Sequence, residues 1–126
     1  MNGLLSAIIL MFFHSLASMN AQTLEVLHTF QNADGADPSV GLVQGSDGNF
    51  YGVTESGGKE SGTAFKISPT GSFTSLFSFD FYVYGNSPQG RLLQTSGGEF
   101  YGTTRFGGAH GDGVVFRMTP AGIMTA

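Results

Sequence analysis

The side chains able to do chemistry are few in this chain, and their spacing suggests binding before catalysis. Asp34, Asp37 and Asp47 fall in Gly-rich stretches and could offer oxygens to calcium. Their spacing is not that of an EF-hand, and no Glu closes a loop, so Asp-Gly turn roles are the simpler expectation. His110 and Asp112 stand two apart and could orient a base, yet no activated Ser or Thr is identifiable beside them. Glu55, Glu60 and Glu99 could supply a carboxylate pair for glycoside hydrolysis, but nothing in the sequence fixes their separation. Lys66 and Arg117 occupy the same place in two copies of a repeated segment. Their long stems suit a packed strand with a solvent-reaching end, and a repeated ligand-binding cation is the sharper alternative. The candidate ligand contacts are therefore Lys66, Arg117, His110 and Asp112. No catalytic residue, metal site or cofactor is assigned, and the chain is read as a non-enzyme.

The elements that must position these groups are repeated. Pro38 to Gly58 reads PSVGLVQGSDGNFYGVTESGG, and Pro88 to Gly108 reads PQGRLLQTSGGEFYGTTRFGG, with about half the positions identical. The match continues, with one inserted residue, from SGTAFKISPTG (61–71) to DGVVFRMTPAG (112–122). Upstream, LHTF (27–30) corresponds to LFSF (76–79). A period near fifty lies in the range of propeller blades.

Each copy reads as short strands between turns. Leu42–Gln44 is followed by Ser46–Asn49, where Asp-Gly suits a two-residue type I′ hairpin. Phe50–Thr54 returns, Thr63–Ile67 follows, and Ser-Pro-Thr-Gly (68–71) fits a type I turn before Phe73–Phe79. In the second copy Phe100–Thr104 and Val114–Met118 take the corresponding places. Phe50 and Tyr51 point to opposite faces and are both large, which calls for a sheet covered on both sides. The expected fold is all-β, with antiparallel four-stranded units resembling β-propeller blades. The expected organisation is a lone strand at 24–30, repeat 1 at 31–79 and repeat 2 at 80–126, the last lacking most of its final strand. Two blades do not close a ring, so either further repeats in a longer chain or self-association is expected to complete one.

Composition narrows the partners. The net charge is −4 and the five basic residues are scattered, so no patch neutralises phosphates and nucleic acid is an unsuitable partner. There is no Cys, which removes disulfides, thiolate zinc sites and thiol nucleophiles. Residues 4–17 read LLSAIILMFFHSLA, a run of signal-peptide length with small residues after it. Cleavage is placed after Ala21, giving a leader at 1–21 that contains His14 and a mature region at 22–126. A buried core helix is the other reading of that run. Cleavage would leave no transmembrane helix and put the protein outside the cell, on its surface or in the periplasm.

The segment GLVQGSDGNFYGVT, the Gly-Gly pair, GTAFKISPTG and their second copy resemble the Gloeo/Verruco, or GloVer, family of exported bacterial repeats. The resemblance implies tandem propeller-like β-repeats at the cell surface or secreted, and brings no reaction and no catalytic residues. The expected function is a secreted or cell-surface binding or scaffold module, with a glycan or surface polymer as ligand. A propeller lyase or lactonase-like enzyme, or a nonfunctional truncated remnant, are the alternatives. The binding reading makes 55–61 and 105–112 a repeated surface patch.

Overall fold

The structure is a computed structural model that describes residues 21–126. The expected leader, apart from Ala21, and His14 within it lie outside the described residues. Among the described residues no helix is long and apolar enough to cross a membrane.

Eight strands form two four-stranded antiparallel sheets. The first holds β1 (Val43–Gln44), β2 (Phe50–Thr54), β3 (Thr63–Ile67) and β4 (Phe73–Ser78) in that order. The second holds β5 (Asn86–Gln94), β6 (Phe100–Phe106), β7 (Val115–Met118) and β8 (Met124–Thr125). The register repeats with the sequence. Tyr51 sits opposite Lys66 and Gly52 opposite Phe65, just as Tyr101 sits opposite Arg117 and Gly102 opposite Phe116.

The turns follow from local chemistry, with one correction. The Ser68–Gly71 turn closes through Gly71 N–H to Ser68 C=O at 3.0 Å, and Gly122 N–H to Thr119 C=O repeats it at 2.9 Å. The β1–β2 connection is not type I′. Gly48 N–H bonds Gly45 C=O, and Gly48 has φ +83° while Asp47 has no positive φ. This is a type I turn followed by a left-handed glycine, the three-residue hairpin solution. The β5–β6 connection makes the same turn, with Gly98 N–H on Thr95 C=O at 2.9 Å and Gly98 at φ +88°, although Gly97 stands where Asp47 does. The Asp47 carboxylate braces the first copy by accepting Asn49 N–H at 3.0 Å and the Tyr51 hydroxyl at 2.7 Å.

Alternation along each strand gives every sheet two faces. One carries Tyr51, Val53 and Ala64 in the first sheet and Tyr101, Thr103 and Val115 in the second; it is called the tyrosine face. The other carries Phe65 and Ile67, or Phe100, Phe116 and Met118; it is called the phenylalanine face. The tyrosine face of the first sheet packs on the phenylalanine face of the second. Tyr51, Val53, Ala64, Phe100, Phe116 and Met118 are all buried there, with the Tyr51 and Phe100 rings 4.1 Å apart. Burying each large side chain contributes roughly 1.5–3 kcal/mol. Unlike faces meet, so the contact runs head to tail from one unit to the next and is not a symmetric clasp.

Cover on both sides is realised only for the first sheet. Its phenylalanine face lies partly beneath residues 24–30, which leave a groove beside them, whereas the tyrosine face of the second sheet is open, with Tyr101 37% and Val115 69% exposed. The lone strand expected at 24–30 is not one: no ladder is assigned there. Its place is nonetheless that of a β4. Phe30 meets Phe65 at 5.2 Å as Phe79 meets Phe116 at 5.0 Å. Leu27 approaches Gly71 as Leu76 approaches Gly122. The segment keeps the packing position of a fourth strand but finds no third strand of its own sheet among the described residues. The two sheets do not close a propeller ring.

Candidate functional site at the loop end

The loops that follow β2 and β6 emerge at one end of the sheets, and a repeated hydrogen-bond scheme holds them. Thr54 Oγ1 accepts Thr63 N–H at 3.0 Å and donates to Ser56 C=O at 2.9 Å. Thr104 Oγ1 accepts Val114 N–H and donates to Phe106 C=O, both at 3.1 Å. The second glycine of each Gly-Gly pair then clamps the preceding linker: Gly58 N–H bonds Asn32 C=O at 2.7 Å, and Gly108 N–H bonds Phe81 C=O at 2.8 Å. Gly57 and Gly107 have φ of +81° and +82°, and a Cβ on either would strike backbone within 2.6 Å. The first glycine of each pair is required because linker backbone lies against it, and the second, at φ +64° and +77°, because a Cβ would strike the Ser78 and Thr63 or the Val114 side chains.

This clamp presents the linker Asp80–Gly85 beside the loop of the first unit. Lys59, Glu60, Ser61, Asp80, Phe81, Tyr82 and Asn86 line a polar depression of about 360 Å³. The Asp80 carboxylate accepts Tyr82 N–H at 3.0 Å, folding the chain so that the Tyr82 ring stands 78% exposed. The depression thus combines an open aromatic face, two carboxylates, an ammonium and an amide. Glu55, at the start of the same loop, bonds the Ser39 hydroxyl and accepts from Gln89 Nε2 at 3.0 Å. Those two hydrogen bonds, Ser39 first, hold its carboxyl below the usual range.

The anticipated ligand contacts do not converge. Lys66 is half-buried on the tyrosine face of the first sheet, between the sheets. Arg117 lies on the tyrosine face of the second, 3.7 Å from Glu99. The whole second sheet separates the two cations. His110 and Asp112 are exposed in the loop after β6, outside the depression, and share no side-chain hydrogen bond. Glu99 lies in the β5–β6 turn, at the sheet end opposite Glu55 and Glu60.

The three aspartates act locally. Asp34 accepts Gln31 N–H at 2.8 Å and meets His28 Nε2 at 2.9 Å; these contacts, led by the backbone N–H, lower its pKa. Asp37 accepts the Ser56 hydroxyl at 2.5 Å. Asp47 is lowered chiefly by the Tyr51 hydroxyl. Among the described residues no group of three or more His, Cys, Asp and Glu is placed to hold a metal.

Sequence reasoning identified the 55–61 loop but missed Asp80, Phe81 and Tyr82. The available signal was divergence: where the first unit has the polar linker QNADGAD (31–37), the second has DFYVYGNS (80–87). An aromatic run in a linker is apolar surface without a strand to bury it.

The family model of the Gloeobacter/Verrucomicrobia repeat matches residues 15–126. No curated protein matches the chain.

Proposed function

The chain belongs to the Gloeobacter/Verrucomicrobia repeat family, and we propose that it is a non-catalytic, exported binding or scaffold module whose units stack as propeller-like blades and whose loop end takes a glycan or surface polymer. The observation that carries this reading is the depression with an outward tyrosine. Asp80 and Glu60 can accept from hydroxyls, Asn86 can accept from and donate to them, Lys59 can meet a carboxylated sugar, and the Tyr82 ring offers a flat apolar platform. The groups around it suit hydroxyl recognition better than bond cleavage, since no side chain there is paired as nucleophile and base. The blade reading is supported by unlike sheet faces meeting in register, as repeated units do when each covers the next. Export is supported by the apolar leader-like run and its small-residue flank.

The test is a glycan and polysaccharide binding screen on the purified chain beside Tyr82→Ala and Asp80→Asn. Both residues are exposed, so the fold should tolerate the changes. The expected result is at least one saturable ligand whose affinity falls roughly tenfold or more in Tyr82→Ala. Binding that survives both substitutions unchanged, or no carbohydrate binding at all, would remove the proposal.

A further inference from the structure

The two ends of the sheet stack are complementary halves of one contact. On the open tyrosine face of the second sheet, Leu93, Tyr101 and Val115 are 67%, 37% and 69% exposed. Their counterparts in the first sheet are Val43, Tyr51 and Ala64, of which the last two are fully buried against the second sheet. At the other end, Leu42, Phe65, Ile67 and Phe73 line an apolar groove of about 340 Å³ whose other wall is the segment 24–30, with Phe65 and Ile67 each 5% exposed at its floor. In the second sheet the same positions include Leu92, Phe116 and Met118, and they are buried by the tyrosine face laid over them. One end therefore bears the surface that fills such a groove, and the other bears the groove.

We propose that a second copy of this chain docks head to tail, the tyrosine face of one second sheet covering the groove of the next copy's first sheet. Continuity with the contact inside the chain chooses this occupant, because the same residue types meet there in a known register. That register makes the intermolecular contacts specific. Within the chain Tyr51 stacks on Phe100, so Tyr101 stacks on Phe50 of the next copy. Ser46 N–H bonds Gln94 Oε1 at 2.8 Å, so Ser96 meets Gln44 of the next copy. Leu27–Phe30 take the place where the docking copy's β8 would continue, beside the Val115 end of β7 that β8 leaves unpaired. Residues 24–26 share the place of β8 itself and must move aside, which the exposure of Leu24 (97%) and Val26 (72%) permits. A contact between unlike faces is heterologous, so it yields a ring if the rotation closes and a filament if it does not. This assembly is independent of whether the loop end binds a glycan.

The experiment joins native mass to cross-linking. The chain contains no Cys, so Ser96→Cys and Gln44→Cys each introduce one exposed thiol. The purified chain should show a mass of several copies that dissociates on dilution, and Tyr101→Asp should weaken association roughly tenfold or more. A short bismaleimide should link Ser96→Cys only to Gln44→Cys in a mixture, and neither variant to itself. A single-chain mass at all concentrations overturns the proposal and leaves the face to another occupant, such as a further unit in line. Self-linking of either variant alone also overturns it, because that marks a symmetric clasp.

Discussion

Tyr51 and Tyr101 stand at the same repeat position, and the structure requires them to differ in energetic weight. Tyr51 is fully buried, stacks on Phe100 at 4.1 Å and donates its hydroxyl to Asp47 at 2.7 Å. A buried aromatic covers about 200 Å², worth about 5 kcal/mol at about 25 cal/mol per Å². Truncating it to Ala therefore costs about 4 kcal/mol, in line with large-to-small changes in cores. Tyr101 has no sheet over it in the single chain, and Gly97 replaces the aspartate that would accept its hydroxyl. Its truncation should cost below about 1.5 kcal/mol. Urea unfolding of dilute protein tests this directly. With a slope of about 2 kcal/mol per M, Tyr51→Ala lowers the midpoint by about 2 M, and Tyr101→Ala by well under 1 M. Should Tyr51→Ala fail to fold, the Phe pair carries the comparison: Tyr51→Phe loses about 1 kcal/mol with the Asp47 bond, and Tyr101→Phe loses almost nothing. Equal shifts at the two positions would refute the claim that only one tyrosine face is covered within the chain.

Thr54→Val and Thr104→Val should each cost about 2 kcal/mol, because each leaves the Thr63 or Val114 N–H without its acceptor; exposed Thr103→Val should change stability little. Differential scanning calorimetry will show the first two melting about 10 °C lower and the third nearly unchanged. Burial, and then the Asp47 carboxylate, push the Tyr51 hydroxyl from 10.0 up to about 12. A folded value above the unfolded one gives stability that is full below pH 10 and is lost as the pH rises toward 12. Tyrosinate absorbance should show one of the four tyrosines ionising last, and Tyr51→Phe should remove that step.

Much of this fold was written locally. The Ser-Pro-Thr-Gly turn, the FYG strand and the Gly-Gly pair each depend on residues within a few positions, and most strands lie where alternation and turn chemistry place them. β5 instead begins at Asn86, well ahead of the short strand that the repeat pattern gives, and β6 runs on to Phe106 to pair with it. The hairpin type differs from the expectation because Asp-Gly suits two turns, and both copies, Asp47-Gly48 and Gly97-Gly98, take the three-residue form in which only the last glycine is left-handed. Residues 24–30 carry a strand pattern, yet a strand is a relation between two segments. Without a partner the same residues pack as a strap, with the His28 ring stacked 3.7 Å over Phe73. Lys66 and Arg117 look equivalent in the repeat, but stacking puts one between the sheets and the other on an outer face. A repeated sequence specifies the unit; the order of units specifies each environment.

On the binding role proposed above, that division also indicates where recognition would belong. Within the chain the tyrosine face of the first unit and the phenylalanine face of the second are committed to each other, which constrains Tyr51, Val53, Ala64, Phe100, Phe116 and Met118. The threonine and glycine clamp that carries the loops is under the same constraint, since Gly62 and Gly113 have φ of +94° and +95° and their Cβ positions would lie 2.3 and 2.4 Å from the Thr54 and Thr104 carbonyl oxygens. What remains free to vary is the loop end, and the copies do vary there: Glu55 becomes Arg105, Ser56 becomes Phe106, and one linker turns aromatic. A stack built this way keeps its spacing while each loop set changes its chemistry. A ligand long enough to touch successive units would then be read by the divergent residues, with Tyr82 as the aromatic contact of the pair described here.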